Sequence, residues 1–180
     1  SVHLLYDVDL EGKEFPSIPS FSGTFYGYGH TISGLSITGH GSTQGLFRYL
    51  TQEAVILNLN LEAQIHPSGS QSAIGGFAGS NSGSILNCSF SGSISGNEYV
   101  GSIAGKNNVT GLIENCSANG SVHGTHFVGG IAGLNQGVIR DCQNLTAINA
   151  TVQQNEVDLS SITIDSLTDS ESAATVTDIG

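Results

Sequence analysis

The sequence predicts an all-β chain, folded as a right-handed parallel β-helix of about six coils with little or no helix. Three observations lead to this fold class. Glycine contributes 25 of 180 residues, and charged residues make up only 11%, a mix that favours short strands and turns. An apolar spacing returns every 24 to 29 residues along the chain. Asn, Asp or Gly recurs inside that spacing, where a left-handed backbone is tolerated.

The clearest repeat is a glycine-rich hexapeptide that is followed by an Ile-x-x-Cys strand. The hexapeptide occupies residues 74–79, 100–105 and 128–133, and the strand occupies residues 85–88, 113–116 and 139–142. Coils that cannot bury an apolar face alone do so by stacking. We therefore assign residues 1–150 to the β-helix and 151–180 to an irregular final coil or an acidic C-terminal edge or linker. Within the β-helix the repeats are clearest at 73–96, 99–124 and 127–150.

Two sets of residues define the predicted interior and its corners. Alternate residues of a strand share a face, so a spacing of three between apolar positions requires a corner. The predicted core ladder consists of Ile32, Leu35, Ile56, Leu59, Ile85, Cys88, Ile113, Cys116, Ile139 and Cys142. The predicted corners are Gly34, Asn58, Asn87, Asn115 and Asp141.

The candidate metal ligands have simpler interpretations. The three cysteines occupy equivalent places and are predicted to pack as small apolar side chains, with a disulfide between coils or a zinc site as alternatives. His123 and His126 lack a third ligand nearby and are predicted to be exposed. The acidic stretch 7–12 resembles a calcium loop, but Ile18 stands where such a loop needs Glu. We expect no catalytic residue, no metal site and no cofactor.

Charge and hydropathy limit the partners. The net charge is −11 with four cations, too few to neutralise a phosphate track, which argues against nucleic acid. No apolar run has the length of a membrane span, so no membrane insertion is expected. Aromatic rings can stack on the apolar faces of sugars, with packing at the end coils as the alternative. The candidates for stacking are Tyr26, Tyr28, Tyr49 and Tyr99.

A family resemblance adds to these expectations. The lead-in at residues 21–37, with Gly-Thr-Phe at 23–25 and Gly-His-Thr-Ile at 29–32, is similar to that of GLUG-motif proteins, and the three later copies resemble the GLUG repeat itself. The resemblance covers about residues 5–150. Tyr26 and Tyr28 depart from it, because they stand where the lead-in usually carries Asp and Asn.

The resemblance implies a non-catalytic scaffold or binding module of a bacterial cell-surface or secreted protein, such as an adhesin. The expected partners are a host glycan or glycoprotein and the adjacent domains of a longer polypeptide. One alternative is the accessory region of an IgA1-protease-like zinc metallopeptidase, although no His of this chain is followed by Glu. Another is a β-helical enzyme acting on polysaccharides, which would need two neighbouring carboxylates.

Overall fold

The computed structural model describes residues 1–149, and these residues form a parallel β-solenoid of about five turns. The predicted fold class is confirmed. All strand pairs in this region are parallel, and the region contains no helix. The assignment of residues 151–180 to a final coil or edge lies outside the described residues.

Each coil contributes short strands to four sheets that run along the solenoid. Sheet 1 contains β1 (Val2–His3), β4 (Thr24–Tyr26), β8 (Val55–Leu57), β12 (Ser84–Leu86), β16 (Leu112–Glu114) and β20 (Val138–Arg140). Sheet 2 contains β2 (Val8–Asp9), β5 (Thr31–Ile37), β9 (Asn60–Ile65), β13 (Ser89–Ser95), β17 (Ser117–His123) and β21 (Gln143–Ile148). Sheet 3 contains β6 (Thr43–Gln44), β10 (Ala73–Gly75), β14 (Glu98–Gly101) and β18 (His126–Gly129). Sheet 4 contains β3 (Ile18–Phe21), β7 (Phe47–Leu50), β11 (Ala78–Asn81), β15 (Ala104–Asn107) and β19 (Ala132–Asn135).

The core is a column of like side chains, because equivalent residues of successive coils pair in register. In sheet 1, Ile85 pairs with Ile56 on one side and with Ile113 on the other, and all three are fully buried. Burial of one such side chain contributes roughly 1.5–3 kcal/mol before chain entropy is subtracted. The column is therefore stable only as a stack.

The corners after sheet 1 adopt the left-handed conformation. Asn58, Asn87, Asn115 and Asp141 have φ angles of 53° to 55°, a region in which Asn and Asp are tolerated because their short polar side chains can bond locally. The amide of Asn115 also donates a hydrogen bond of 2.7 Å to the carbonyl oxygen of the Asn87 side chain. The corner at Asn115 thus turns the chain and also bonds to the corner of the preceding coil.

The register of the second coil differs from the sequence prediction. Phe25, rather than Ile32, pairs with Ile56 in sheet 1, and Ile32 pairs with Leu61 in sheet 2. Ile32 and Leu35 are buried but belong to sheet 2. The cause is a corner between Phe25 and Ile32 that is two residues longer than its counterpart in the next coil, and such an insertion is invisible to a fixed apolar spacing.

The prediction of Gly34 as a corner is wrong for the same reason. Gly34 has a φ of 64° but lies inside β5, where the register shifts between Ile32 and Leu35. The corner of this coil contains Tyr28 and Gly29, with φ angles of 52° and 80°. A bulge needs the same backbone conformation as a corner, so residue type alone did not distinguish them.

The two ends of the described region are less buried than its middle. Ile139 and Cys142 pack against the core but are partly exposed, because they belong to the last described coil. In the first coil, Leu5 and Val8 are 63% and 39% exposed. The core ladder is therefore fully buried only in the middle of the described region.

A ladder of buried asparagines runs parallel to the apolar column. The Asn81 amide donates to Oδ1 of Asn107, and the Asn107 amide donates to Oδ1 of Asn135, each at 2.8 Å. Asn81 and Asn107 have no exposed surface, and both amides also reach backbone carbonyls of the following turn. A buried polar group without a partner costs about 1–3 kcal/mol, so these bonds tie each turn to the next.

Replacing the central member tests the ladder. We expect Asn107→Ala to lower the free energy of unfolding by about 1–3 kcal/mol, because it removes one acceptor of the buried Asn81 amide and the donor to Asn135 Oδ1. Urea denaturation followed by circular dichroism measures the change. Asn119→Ala, at an exposed site in β17, should change it little. Equal stabilities for the two variants would contradict the role of the ladder.

Candidate binding surfaces

The outer side of sheet 2 is a broad polar surface. Residues on its strands alternate between buried apolar and outward polar side chains, as expected for a sheet with one face on the core. We call the outward set the polar face; it consists of Ser36, Glu62, Gln64, His66, Ser91, Ser93, Ser95, Asn119, Ser121 and His123. Because the strands pair in register, these side chains form rows across the coils.

A hydrogen-bonded cluster fixes the middle of the polar face. The Nε2 atom of His66 lies 2.7 Å from Ser93 Oγ, and its Nδ1 atom lies 2.7 Å from Ser95 Oγ. Ser93 in turn donates to Oε1 of Gln64. Burial and the nearby His123 lower the pKa of His66, so its imidazole is neutral at neutral pH. This part of the surface offers uncharged donors and acceptors.

A shallow groove of about 380 Å³ crosses the polar face where glycines interrupt the pleat. Gly92 and Gly120 have φ angles of 141° and 117°. A Cβ at Gly92 would lie 1.8 Å from the Ala63 carbonyl oxygen, and one at Gly120 would lie 1.8 Å from the Gly92 carbonyl oxygen. Only glycine fits these positions. The rim of the groove carries Ser36, Glu62, Gln64 and Ser91.

The four tyrosines named as sugar-stacking candidates do not share one surface. Tyr26 and Tyr28 stack on each other with ring centroids 5.8 Å apart, and both stack on His3. Tyr49 is half exposed on sheet 4, in a row with Ser20 and Ser80. A sugar could meet two of these rings only at Tyr26 and Tyr28, and their role in stacking stays a prediction.

Tyr99 belongs to a separate aromatic pair. Its ring stacks on Phe127 with centroids 4.9 Å apart and an angle of 8° between the planes. The Lys106 ammonium lies 4.2 Å from the centroid of the Tyr99 ring, within the range of a cation–π interaction. Both aromatic residues have positive φ angles, 51° and 53°, which is costly for bulky side chains. The Tyr99 ring therefore already contacts an aromatic ring and a cation of the protein itself.

The cysteines are free thiols at equivalent positions of three coils. Cys88 and Cys116 are buried, and the hydrogen bond that they share, together with burial, raises the pKa of Cys116 above its ordinary value. Burial also raises the pKa of Cys142, but this residue is partly exposed. The expectation that all three cysteines pack as buried apolar side chains is therefore corrected: Cys88 and Cys116 are buried, whereas Cys142, in the last described coil, is partly exposed.

The N-terminal acids are engaged by the protein itself. Asp7 accepts a hydrogen bond of 2.9 Å from the Thr31 backbone, which together with His30 lowers its pKa. Asp9 accepts from the backbone of Glu11. Glu14 accepts from the side chain and backbone of Thr38 and from the Gly39 backbone, and these bonds lower its pKa. Across residues 1–149, no group of three or more His, Cys, Asp or Glu side chains is arranged to hold a metal ion.

His123 and His126 both have exposed side chains near the corner between sheets 2 and 3. His123 ends β17 and belongs to the polar face, whereas His126 begins β18. Within the described part of the chain, no helix is long and apolar enough to cross a membrane.

Two features of these surfaces were missed from the sequence. The asparagine ladder follows the repeated Ala-Gly-x-Asn at 78–81, 104–107 and 132–135, a signal that a longer alignment of the hexapeptide would have shown. Arg48 is the second. Alignment of β7 with β11 puts Arg48 opposite Gly79, and later coils also have glycine at this position. An arginine in place of the repeated glycine was the signal that the second coil differs here.

Together, the in-register coils, the left-handed corners and the single polar face define a parallel β-solenoid repeat protein. Residues 70–95 and 96–122 each match the family model for the GLUG motif. Over these residues the chain is similar to GLUG-repeat proteins.

Part of the chain is also similar to a curated protein. The chain is 34% identical over 95 residues to halomucin of Haloquadratum walsbyi, an alignment that covers 52% of this chain. The aligned part spans 1% of halomucin. No solved structure matches the chain.

Thiol accessibility tests the cysteine arrangement. With a water-soluble disulfide reagent at pH 8, we expect Cys142 to react first in the native protein, and Cys88 and Cys116 to react only after unfolding, because their buried sulfur atoms are out of reach of the reagent. Absorbance of the released thiolate counts the reacted groups. A Cys142→Ser variant should show no early phase. Rapid reaction of two or three thiols in the wild-type protein would contradict the burial of Cys88 and Cys116.

Proposed function

We propose that this β-solenoid is a non-catalytic binding module that attaches to glycans through the polar face of sheet 2, at the cell surface or in the extracellular space. The observation that carries the proposal is the groove at Gly92, which is lined by outward hydroxyl, amide and carboxylate groups of Ser36, Ser91, Gln64 and Glu62. Sugars present many hydroxyl groups, and a surface with paired donors and acceptors can exchange its hydrogen bonds with water for bonds to them.

Three further features support this proposal. The strands that carry the polar face are held in register by the core, so its side chains are preorganised, which lowers the entropic cost of binding. The repetition of the face from coil to coil suits a ligand that is itself repetitive. The surface location is supported by the similarity to halomucin, and a host glycoprotein or adjacent domains of a longer polypeptide are the partners that we propose with it.

Catalysis is the main competing function for a groove with a carboxylate. Glu62 lies on the rim beside Ser91 and Gln64. Hydrolysis of a glycosidic bond uses two carboxyl groups that flank the bond, and the residues that line the groove include only this one among the described positions. No feature of the polar face favours an accessory role beside a peptidase domain. We therefore favour glycan binding over both alternatives.

A glycan array tests the proposal directly. We expect the wild-type protein to bind a subset of immobilised oligosaccharides, and Ser91→Leu to reduce that binding at least tenfold, because the larger side chain fills the groove without removing a charge. Ser91 is exposed, so the variant should keep the wild-type circular dichroism spectrum and melting temperature.

The matched control is Ser20→Leu, at an exposed site of β3 in sheet 4, which should bind like the wild type. Equal loss in both variants, or binding by neither the wild type nor the control, would refute the assignment to the polar face. Release of reducing ends from a bound glycan, abolished by Glu62→Gln, would instead show that the groove is catalytic.

A further inference from the structure

The second coil contains a cleft lined by Arg48 that the polar face does not explain. All four cations of the chain lie within the described residues, and three of them have a partner: Lys13 meets Glu11 at 2.5 Å, Arg140 meets Glu114 at 2.7 Å, and Lys106 lies over the Tyr99 ring. In residues 1–149, Arg48 has no hydrogen bond or ion pair, and its Nε atom is buried. A buried donor without a partner is uncommon and requires an explanation.

The Arg48 side chain lies where the next coil has no room for one. Its register equivalent in the next coil is Gly79, and a Cβ at Gly79 would lie 2.5 Å from the Thr43 side chain and 2.8 Å from the Ala73 carbonyl oxygen. The first coil has no strand in sheet 3. The space beside Arg48 is therefore open. It forms a cleft of about 150 Å³ between Pro16, Gly39 and Gln44.

Gln44 supplies a second donor to the same cleft. It pairs with Ile74 at the end of an inward row of sheet 3 that continues as Val100 and Val128, yet it is polar and only 2% exposed. Ser17 donates to its Oε1 atom at 2.5 Å, which turns the Nε2 atom toward Gly41. A polar side chain in an apolar row is typical of a functional site.

Because Gly41 has no side chain, Gln44 Nε2 and Arg48 Nη2 border the same empty space. A Cβ at this position would lie 2.4 Å from Gln44 Nε2 and 3.9 Å from Arg48 Nη2. The guanidinium and the amide can therefore meet the same small group. A planar guanidinium matches a carboxylate with two parallel hydrogen bonds, and neutralisation of the half-buried charge would offset its desolvation.

We propose that this cleft binds the carboxylate of an acidic saccharide, such as a uronic acid unit, with Arg48 and Gln44 as its donors. The inference rests on the proposed glycan binding and deepens it. The cleft begins where β5 ends at Ile37, and Ser36 of the polar face lies on the same strand. A glycan on that face can therefore place one acidic unit in the cleft, and the cleft would select acidic over neutral glycans.

Glu14 also lines the cleft, and its charge opposes an anion. Its oxygens accept hydrogen bonds from Thr38 and Gly39, and these donors disperse part of the negative charge. The proposal therefore predicts that Glu14→Gln strengthens binding of the acidic saccharide. A cation site would show the opposite change.

Nuclear magnetic resonance with small probes tests the cleft. We expect the Arg48 Nε–Hε signal to shift saturably with methyl β-D-glucuronoside and to stay unchanged with methyl β-D-glucoside, its neutral counterpart. Arg48→Gln and Gly41→Val should each weaken glucuronoside binding at least tenfold. Lys13→Gln removes the same charge at an exposed pair and should have no effect beyond twofold.

Each other outcome overturns the inference. Unchanged glucuronoside affinity in Arg48→Gln, or weaker binding in Glu14→Gln with an intact fold, would refute an anion site. Equal binding of sulfate ions and the glucuronoside would refute selection of a saccharide. Binding of neutral glycans separates the two proposals, because Arg48→Gln should leave it intact whereas Ser91→Leu should abolish it.

Discussion

In-register pairing of successive coils is the constraint on which the rest of this structure depends. Each coil exposes unpaired backbone groups and an apolar face on both sides, and only a neighbour with the same spacing can satisfy both. Two rows of side chains show this pairing. The apolar row consists of Ile56, Ile85 and Ile113, and the polar row consists of Asn81, Asn107 and Asn135. A substitution in one coil therefore alters the packing of the neighbouring coils. Side chains at equivalent positions of successive coils must also pack against one another.

The same constraint determines where function can reside. Inward positions and corners are fixed by stacking, so variation that carries recognition must occur on outward positions or where the repeat is interrupted. The polar face illustrates the first case, since Gln64, Ser93 and Ser121 follow one outward row without disturbing the core. The cleft at Arg48 illustrates the second, because the missing strand of sheet 3 in the first coil leaves room for a long cationic side chain.

Charge gives these two surfaces different characters. The chain carries a net charge of −11, yet the middle of the polar face is held together by neutral groups, with His66 kept uncharged by partial burial and by its neighbour His123. Arg48 is a positive charge without an ion-pair partner among residues 1–149 of an acidic chain, so an anion that enters its cleft meets attraction at short range and repulsion at long range. A ligand that also gains hydrogen bonds along the polar face would overcome that repulsion, which favours an extended saccharide over a simple ion.

The sequence by itself determined the fold class, the regular coils and the corner residues from Asn58 onward, because apolar spacing and left-handed Asn or Asp are local signals that repeat. It also indicated that the cysteines take equivalent places. Only the tertiary structure decided the register of the second coil, where an insertion before Ile32 and the bulge at Gly34 broke the spacing. It likewise decided that Tyr26 and Tyr99 lie in separate clusters, and that Gln44 and Arg48 meet. These depend on which residues of different coils become neighbours, and that information emerges only when the coils are stacked.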